Sequence, residues 1–239
     1  MKKITMTAVA LFLVASLTAQ QFSFGPRVGF QMQNLEGTVR VDGNRSGGNV
    51  LTPGFNIGLV AEYAFSESLA VQIGASFAQA RETWMDNWGA GDDEEHGRWR
   101  TTFNQLHIPI NLQYNLLGTG IFFQAGPFLG FNLGGTRTEE GVRWDGTTRD
   151  ESFNIAFGSE PPALDSEDWN GGRVLNFGVG LGFGLDVSNL RLAFTYNIGI
   201  SNMYNGWRMG DGTVETTDDL VRRHHGFTVT VSYMFGGGR

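Results

Sequence analysis

The chain contains no cysteine among its 239 residues. That absence excludes a disulfide framework, a thiolate metal site, a cysteine nucleophile and lipid attachment through an N-terminal cysteine. Proline is also scarce, with 6 residues, whereas glycine is abundant, with 35. The glycines follow no collagen-like triplet repeat, so their number needs a different structural explanation, such as a tightly curved, closed sheet.

Positive charge and long apolar runs are the other deficits. The formal net charge is -7, and no basic stripe is present, so we expect no nucleic-acid partner. Beyond the N-terminus, no segment has the roughly 20 apolar residues of a transmembrane helix. If such a chain is exported, it is expected to be periplasmic, extracellular or an outer-membrane barrel.

The first residues predict export. Lys2 and Lys3 form a basic n-region, residues 7–17 are apolar, and Ala19 is a small residue suited to cleavage. An ordinary apolar helix or anchor is the alternative, but the run is too short to span a bilayer. We therefore predict a signal peptide over residues 1–19 and one barrel domain over residues 20–239.

Strict alternation of apolar and polar residues dominates the remaining chain. In the first such segment Phe22, Phe24 and Phe30 fall on one face, and Arg27 and Gln31 fall on the other. A period of two is typical of a strand with one apolar side and one polar side. Eight segments share this pattern: 22–33, 55–65, 69–77, 106–114, 121–133, 175–187, 190–200 and 227–235.

The connections between these segments alternate short and long. The short ones are residues 66–68, 117–118 and 188–189, and the long ones are residues 34–52, 82–102, 134–173 and 202–225. An even number of strands with one simple rim and one elaborate rim is typical of bacterial barrels. The sequence predicts an all-β, eight-stranded antiparallel up-and-down transmembrane β-barrel with short periplasmic turns and long extracellular loops.

The predicted inward face is packed and polar. A barrel of eight strands has an interior that side chains can fill, so an open pore is not the default expectation. Glycines on one strand lie beside bulky inward phenylalanines on its neighbour, which indicates steric relief. These residues are Gly178, Gly180, Gly182, Gly184, Phe122 and Phe128. A ligand channel along this face is the alternative interpretation.

Five charged or titratable residues are expected to form a structural network in the lumen. Asp186 and Arg191 face each other across the 188–189 turn, which predicts a cross-strand ion pair. Arg27 and Glu62 also point inward and would extend this pair into a polar plug. His107 points inward from the fourth strand. A gated pore built on these charges is the alternative, although charges inside a barrel need partners in any case.

The sequence offers little support for catalysis or metal binding. Some outer-membrane barrels are lipid-modifying enzymes, but His107 has no evident Ser or Asp companion in register, so a hydrogen-bonded lumen histidine is favoured. His96, His224 and His225 show no metal-site spacing. Acidic residues of the loops could bridge a hard cation, yet no calcium-loop spacing is present and solvated charge is favoured. We expect no catalytic residue, cofactor or metal.

Two sets of aromatic residues have separate expected roles. Tyr63, Tyr114 and Tyr233 mark strand ends, where an interfacial belt would fall. All six tryptophans fall within the predicted long loops. Five of them are candidates for a loop interaction surface: Trp84, Trp88, Trp144, Trp169 and Trp207. Small loop cores are the alternative role for these tryptophans.

Four stretches carry a resemblance to a known family. They are LHIPINLQY (residues 106–114), FFQAGPFLGFNLGG (122–135), FGVGLGFGLDV (177–187) and LRLAFTYNIGISNM (190–203). In these stretches the chain resembles the PorT-like outer-membrane β-barrel family of Bacteroidota. The resemblance implies an outer-membrane location and a role beside a secretion machine or another envelope complex, with no catalytic motif. The chain departs from barrels that end on an aromatic residue, because Gly236 to Arg239 follow Phe235.

The expected function is that of a non-enzymatic scaffold. The narrow lumen directs activity to the long loops, which would bind a partner protein of the envelope or the cell surface. Outer-membrane lipid, including lipopolysaccharide, is the expected surrounding, and the barrel is expected as a monomer or a subunit of a larger complex. A small pore or ligand channel, a lipid-modifying enzyme and a soluble lipocalin-like binder remain alternatives; the last would need an apolar interior.

Overall fold

The structure is a computed structural model that describes residues 21–39, 48–88, 95–142, 147–158, 169–203, 207–208, 214–215 and 220–236. The predicted signal peptide lies outside these residues. None of the described residues belongs to a helix long and apolar enough to cross a membrane. The strands are β1 (Phe22–Val39), β2 (Gly48–Val50), β3 (Thr52–Ala64), β4 (Leu69–Trp88), β5 (Glu95–Asn115), β6 (Ile121–Val142), β7 (Thr148–Phe157), β8 (Trp169–Gly172), β9 (Leu175–Val187), β10 (Leu190–Gly199), β11 (Trp207–Arg208), β12 (Val214–Glu215), β13 (Leu220–Tyr233) and β14 (Phe235–Gly236).

Eight of these strands form a closed ring. In order around the ring they are β1, β3, β4, β5, β6, β9, β10 and β13, and every neighbouring pair is antiparallel. The ring closes because β13 pairs with β1 from Arg27↔Ser232 to Val39↔Leu220. Closure leaves no long unpaired edge among the barrel strands. The prediction of an eight-stranded antiparallel barrel is confirmed.

The two rims of the barrel differ. The short-turn rim consists of residues 65–68, 116–120 and 188–189, and β1 begins at this rim, where Phe22 pairs with Tyr63. The predicted short connections therefore lie together. The opposite end, which we call the long-loop rim, carries the remaining connections between barrel strands.

The strands extend further toward the long-loop rim than the sequence predicts. β4 and β5 remain paired as far as Trp88↔Glu95, and β6 continues to Val142. Beyond its pairing with β9, β6 pairs with β7, and β7 pairs in parallel with β8. Much of the predicted loops 82–102 and 134–173 is therefore strand. The alternation fades there because neither face of the sheet must meet an apolar medium, while backbone pairing continues.

In the part of the barrel nearer the short-turn rim, apolar side chains face outward and polar side chains face inward. Leu59 on the outer face is 65% exposed, whereas Gln113 on the inner face is 0% exposed. Arg27, Glu62 and Arg191 are also buried. This arrangement is the inverse of a soluble barrel, whose interior is apolar, and it suits a barrel whose outer surface contacts lipid.

Space inside the barrel explains several of the glycines. Gly184 of β9 is the register partner of Phe122 of β6, and Gly178 is the partner of Phe128. A Cβ atom at Gly184 would overlap the Phe122 ring and the carbonyl oxygen of Leu192. The large phenylalanine rings therefore fit because the facing strand offers only hydrogen atoms.

Candidate functional site

Arg191 is the centre of the polar lumen near the short-turn rim. The two-residue turn between β9 and β10 makes Arg191 the register partner of Asp186, with both side chains directed inward. Arg191 donates from Nε to Asp186 Oδ1 at 2.7 Å and from Nη2 to Asp186 Oδ2 at 2.9 Å. Its Nη1 donates to a Glu62 carboxylate oxygen and, at 3.2 Å, to Gln113 Oε1. One guanidinium thus holds two carboxylates from different parts of the ring.

Two glutamines connect this group to Arg27. Gln72 Nε2 donates to Gln113 Oε1 at 3.4 Å, and Arg27 Nη2 donates to Gln72 Oε1. Arg27 Nε also donates to Ser232 Oγ at 3.2 Å. We call Arg27, Glu62, Gln72, Gln113, Asp186 and Arg191 the lumen network. Sequence reasoning missed both glutamines, although their inward phase on β4 and β5 was a signal that could have identified them.

The lumen network balances its charges within a narrow space. Arg27 and Arg191 carry two positive charges, and Glu62 and Asp186 carry two negative charges when ionised. The Arg191 guanidinium also lies 4.9 Å from the centroid of the buried Phe122 ring. Charges inside a low-dielectric space are tolerated when paired and hydrogen-bonded. Among the described residues, this arrangement fills the short-turn end of the lumen with two positive and two negative charges that offset one another.

A small polar cavity lies further inside the barrel. Its volume is about 40 Å³, and Arg27, Ser76 and His107 are among the residues that line it. A buried water needs about 10–15 Å³ by this measure, so the cavity has room for about three waters. Among the described residues that line it, none is a carboxylate. The cavity is too small for a ligand channel.

His107 lies apart from the lumen network, against aromatic and hydroxyl groups. Its ring centroid is 5.1 Å from that of Phe128, and its register partner on β4 is Ser76. The expectation that no serine lies in register with His107 was therefore wrong, because the pairing of β4 with β5 spans a long connection. In the described part of the chain, no hydrogen bond joins Ser76 to His107, and the cavity supplies no carboxylate to orient the imidazole. The pair also faces the enclosed lumen, away from lipid.

An apolar group occupies the inside of the barrel toward the long-loop rim. Ala80 and Phe103 are register partners on β4 and β5, and Phe103 contacts Phe157 with ring centroids 5.9 Å apart. Ile155 and Met203 complete this buried group, which we call the rim cluster. Sequence reasoning missed the rim cluster because β7 and Met203 lie in segments that were predicted as loop. The lumen thus holds the paired charges near one end and, near the other, the rim cluster beside buried polar residues such as Glu82 and Thr101.

The predicted tyrosines lie at exposed positions near the short-turn rim. Tyr63 donates its hydroxyl to Gln21 Oε1 at 2.8 Å, and Asn189 Nδ2 donates to the Tyr233 hydroxyl at 3.3 Å. Tyr114 is also exposed and pairs with Leu69 at the start of β4. Neighbouring phenylalanines, which the sequence interpretation left out, pack against two of these tyrosines. The ring centroids of Phe65 and Tyr63 are 5.2 Å apart, and those of Phe235 and Tyr233 are 4.8 Å apart.

The tryptophans assigned to loops are mostly on strands. Trp84 and Trp88 belong to β4, Trp169 to β8 and Trp207 to β11, which corrects their placement in loops. For Trp84 and Trp88 the reason is that β4 and β5 stay paired beyond the apolar alternation, whereas Trp169 and Trp207 lie on short strands that form within the predicted loops. Trp144 lies outside the described residues.

The acidic residues near the long-loop rim form no described metal site. Glu139 and Glu151 are register partners on β6 and β7, as are Glu140 and Asp150. Arg137 Nε lies 3.0 Å from Glu139 Oε1, which offsets one of these charges. Within the described residues, no group of three or more His, Asp or Glu side chains could hold a metal ion. Asp145, Asp165, Glu167, Asp168 and residues 92–94 lie outside the described part.

Comparison with known proteins assigns the chain to a family. The profile of the family described as "Outer membrane protein beta-barrel domain" matches residues 18–205. No curated protein sequence matches the chain.

Solved structures of other bacterial barrels align over most of the chain, at TM-scores too low to add to the assignment. Ail, the attachment invasion locus protein of Yersinia pestis, is 13% identical, with 90% of this chain and 99% of that chain covered and a TM-score of 0.39. Neisserial surface protein A is 10% identical, with 89% and 97% covered and a TM-score of 0.39. OprG from Pseudomonas aeruginosa is 14% identical, with 90% and 97% covered and a TM-score of 0.36. On the family match, the chain belongs to the outer membrane protein beta-barrel domain family and is an outer-membrane β-barrel.

Proposed function

We propose that the protein is a non-enzymatic, non-conducting barrel of the cell envelope that acts as a scaffold and binds a partner through its long-loop rim. The observation that carries this proposal is the filled lumen. The lumen network occupies one end, the rim cluster occupies the other, and the cavity between them has a volume of about 40 Å³. On this proposal the described residues of the lumen leave neither a solute path nor a substrate pocket.

The long-loop rim is the surface left for an interaction. Its sheet extends past the apolar outer surface, with β7 and β8 added beside β6. In this proposal the short-turn rim faces the periplasm and the long-loop rim faces outside the cell, as is common in bacterial barrels. The resemblance of residues 106–203 to PorT-like barrels of Bacteroidota supports a place beside a secretion or envelope complex.

The two other classes of function lack support in the lumen. A lipid-modifying enzyme needs a nucleophile, a base and an orienting group that lipid can reach. Ser76 and His107 are enclosed, and no described carboxylate lines their cavity. A pore needs a continuous open path, whereas the described lumen holds the buried side chains of the rim cluster beside buried polar ones such as Glu82 and Thr101.

We expect the purified protein to show no steady conductance in planar lipid bilayers. Insertion is checked independently by the heat-dependent shift in electrophoretic migration that folded barrels show. We expect no conductance because ions would have to pass both Arg191 with its carboxylates and the buried ring of Phe103. Large, reproducible conductance steps from the inserted protein would contradict the proposal and favour a pore.

We expect a partner to be captured from the long-loop rim in intact cells. A photo-crosslinking residue at Asp150, which is exposed on β7, should give a discrete crosslinked band. The matched control is Leu117, which is exposed in a short turn at the opposite rim. Crosslinks from the Leu117 position alone would contradict an interaction through the long-loop rim, as would their absence from Asp150 and from every other exposed residue of that rim.

A further inference from the structure

Three exposed arginines share one region of the outer barrel surface. Arg81 lies on β4, and Arg98 and Arg100 lie on β5, where they alternate with the buried Thr101. Arg81 is the register partner of Thr102, which places Arg100 at the diagonal position. Diagonal neighbours across an antiparallel pair have Cβ atoms about 7–8 Å apart, so these guanidinium groups can act on one ligand. We call the three residues the arginine cluster.

The arginine cluster lies just beyond the apolar outer surface. On β4 this surface extends from Leu69 to Phe77, both exposed, and Arg81 follows four residues later. A strand that rises about 3.3 Å per residue and tilts by about 40° climbs about 2.5 Å per residue along the barrel axis. Arg81 is then about 30 Å from the level of Leu69, against an apolar band of about 25 Å. This height is that of lipid headgroups.

The surface below the arginine cluster suits acyl chains. Phe77 pairs with Leu106, and Ile73 pairs with Ile110, and all four side chains are exposed on the outer face of β4 and β5. An amphiphile with its charged end at the arginine cluster would lay its chains along this surface. Burial of apolar surface and charge neutralisation would then act on the same molecule.

Polar side chains lie between the apolar outer face of β4 and β5 and the arginine cluster, and one of them holds Arg81 in place. Arg81 Nη2 donates to Gln79 Oε1 at 2.8 Å, and Gln79 Nε2 donates to Asn104 Oδ1 at 3.4 Å. On β6, Thr136 and Thr138 continue the outer face beside β5 and offer hydroxyl donors. The headgroup level of this sheet therefore presents several donors to an anion or a sugar.

The described outer face around the arginine cluster carries two carboxylates, Glu140 and its register partner Asp150, against three guanidinium groups. Arg98 has Glu140 as its register partner on β6, whereas Arg100 has Thr138 there and Thr83 on β4. Within the described residues, neither Arg81 nor Arg100 forms an ion pair. The chain has no lysine after Lys3, so its permanent positive charges there are arginines, whose planar guanidinium binds phosphate in a bidentate manner that a lysine ammonium group cannot match.

We propose that the arginine cluster binds the phosphate groups of lipid A, the anionic glycolipid of the outer leaflet, with its acyl chains on the apolar outer face of β4 and β5. Lipid A combines the two features that this surface offers, a phosphorylated sugar and several acyl chains. The proposal rests on the orientation in the proposed function, in which the long-loop rim faces outside the cell.

The test compares lipid A with and without its phosphates on the full chain in detergent micelles. We expect the parent protein to bind phosphorylated lipid A about tenfold more tightly than dephosphorylated lipid A, as charge-assisted hydrogen bonds would give. The double variant Arg81→Gln with Arg100→Gln should lose about that factor for the phosphorylated lipid and bind the dephosphorylated lipid as the parent does. Native mass spectrometry of the bound lipid measures both affinities.

The matched control is Arg223→Gln. Arg223 is exposed on β13, across the ring from β5, and its register partner on β1 is Glu36. This variant should bind phosphorylated lipid A as the parent does. If the double variant misfolds by the migration test, Arg81→Lys with Arg100→Lys replaces it. This variant keeps the positive charges but lacks the planar guanidinium groups, so its loss of affinity for phosphorylated lipid A should be smaller than about tenfold.

Three results would overturn the lipid A site. They are parent-like affinity of the double variant, equal affinity for both forms of the lipid, and displacement of lipid A by inorganic phosphate at comparable concentration. The last result would show a site for free phosphate. Binding in micelles does not depend on which rim faces outside, so a failure of the proposed orientation would show in the crosslinking experiment instead.

Discussion

Replacement of Arg191 by methionine is expected to lower the free energy of unfolding by about 3–5 kcal/mol, as removal of one partner from a buried ion pair does. Arg191 is only 3% exposed and holds both Asp186 and Glu62. Without the guanidinium, the two carboxylates would lose the cation that both of them contact in the narrow lumen. Arg27 donates its hydrogen bonds to Gln72 and Ser232 instead.

The measurement is denaturant unfolding of the barrel in lipid vesicles. Arg173→Met is the matched control, because Arg173 is exposed and its loss should change stability by less than about 0.5 kcal/mol. Adding Glu62→Gln to Arg191→Met should restore part of the loss, since it removes one buried charge and keeps an amide of similar shape. Equal stabilities of Arg191→Met and Arg173→Met would show that the lumen network does not hold the barrel together.

Replacement of Leu59 by arginine is expected to cost about 2–4 kcal/mol in a bilayer, the penalty of a lipid-facing arginine near the midplane of a barrel. Leu59 is 65% exposed on the outer face of β3. It lies four residues from Tyr63, which places it about 10 Å above the tyrosine level and near the middle of the apolar band. Its exposure is therefore exposure to acyl chains.

The matched control is Leu117→Arg. Leu117 is 61% exposed, nearly as much as Leu59, but it lies in a short turn beyond the strand ends. Arginine there would reach water, so its cost should be close to zero. Similar small costs at both positions in lipid vesicles would contradict the predicted position of the membrane on β3.

The filled lumen could be predicted only in part from the sequence. The Asp186–Arg191 pair follows from a two-residue turn, because such a turn sets the register of its hairpin. Glu62 lies on β3, far from Arg191 in the sequence, and the two residues meet only because the ring of strands closes. The inward phase of Gln72 and Gln113 was visible, but their contacts with the arginines were not.

The register of strand pairs that are joined by long connections could not be predicted from the sequence. The placement of Ser76 opposite His107 depends on how β4 and β5 align over a connection that no turn signal defines. The arginine cluster was hidden for the same reason: residues 82–102 show no apolar alternation and were predicted as loop, so Arg98 and Arg100 had no assigned face. The rim cluster needed β7, whose pairing with β6 had no apolar pattern to reveal it.

The sequence by itself determined the number of barrel strands, the face of each that meets lipid, and the pairs joined by short turns. These properties are local, because a strand places alternate side chains on opposite faces and a short turn allows little choice of register. Only the tertiary structure decided which distant residues meet: Glu62 with Arg191, Ser76 with His107, and Arg81 beside Arg100. Those contacts depend on the stagger with which eight strands close, a property of the whole ring that no single segment contains.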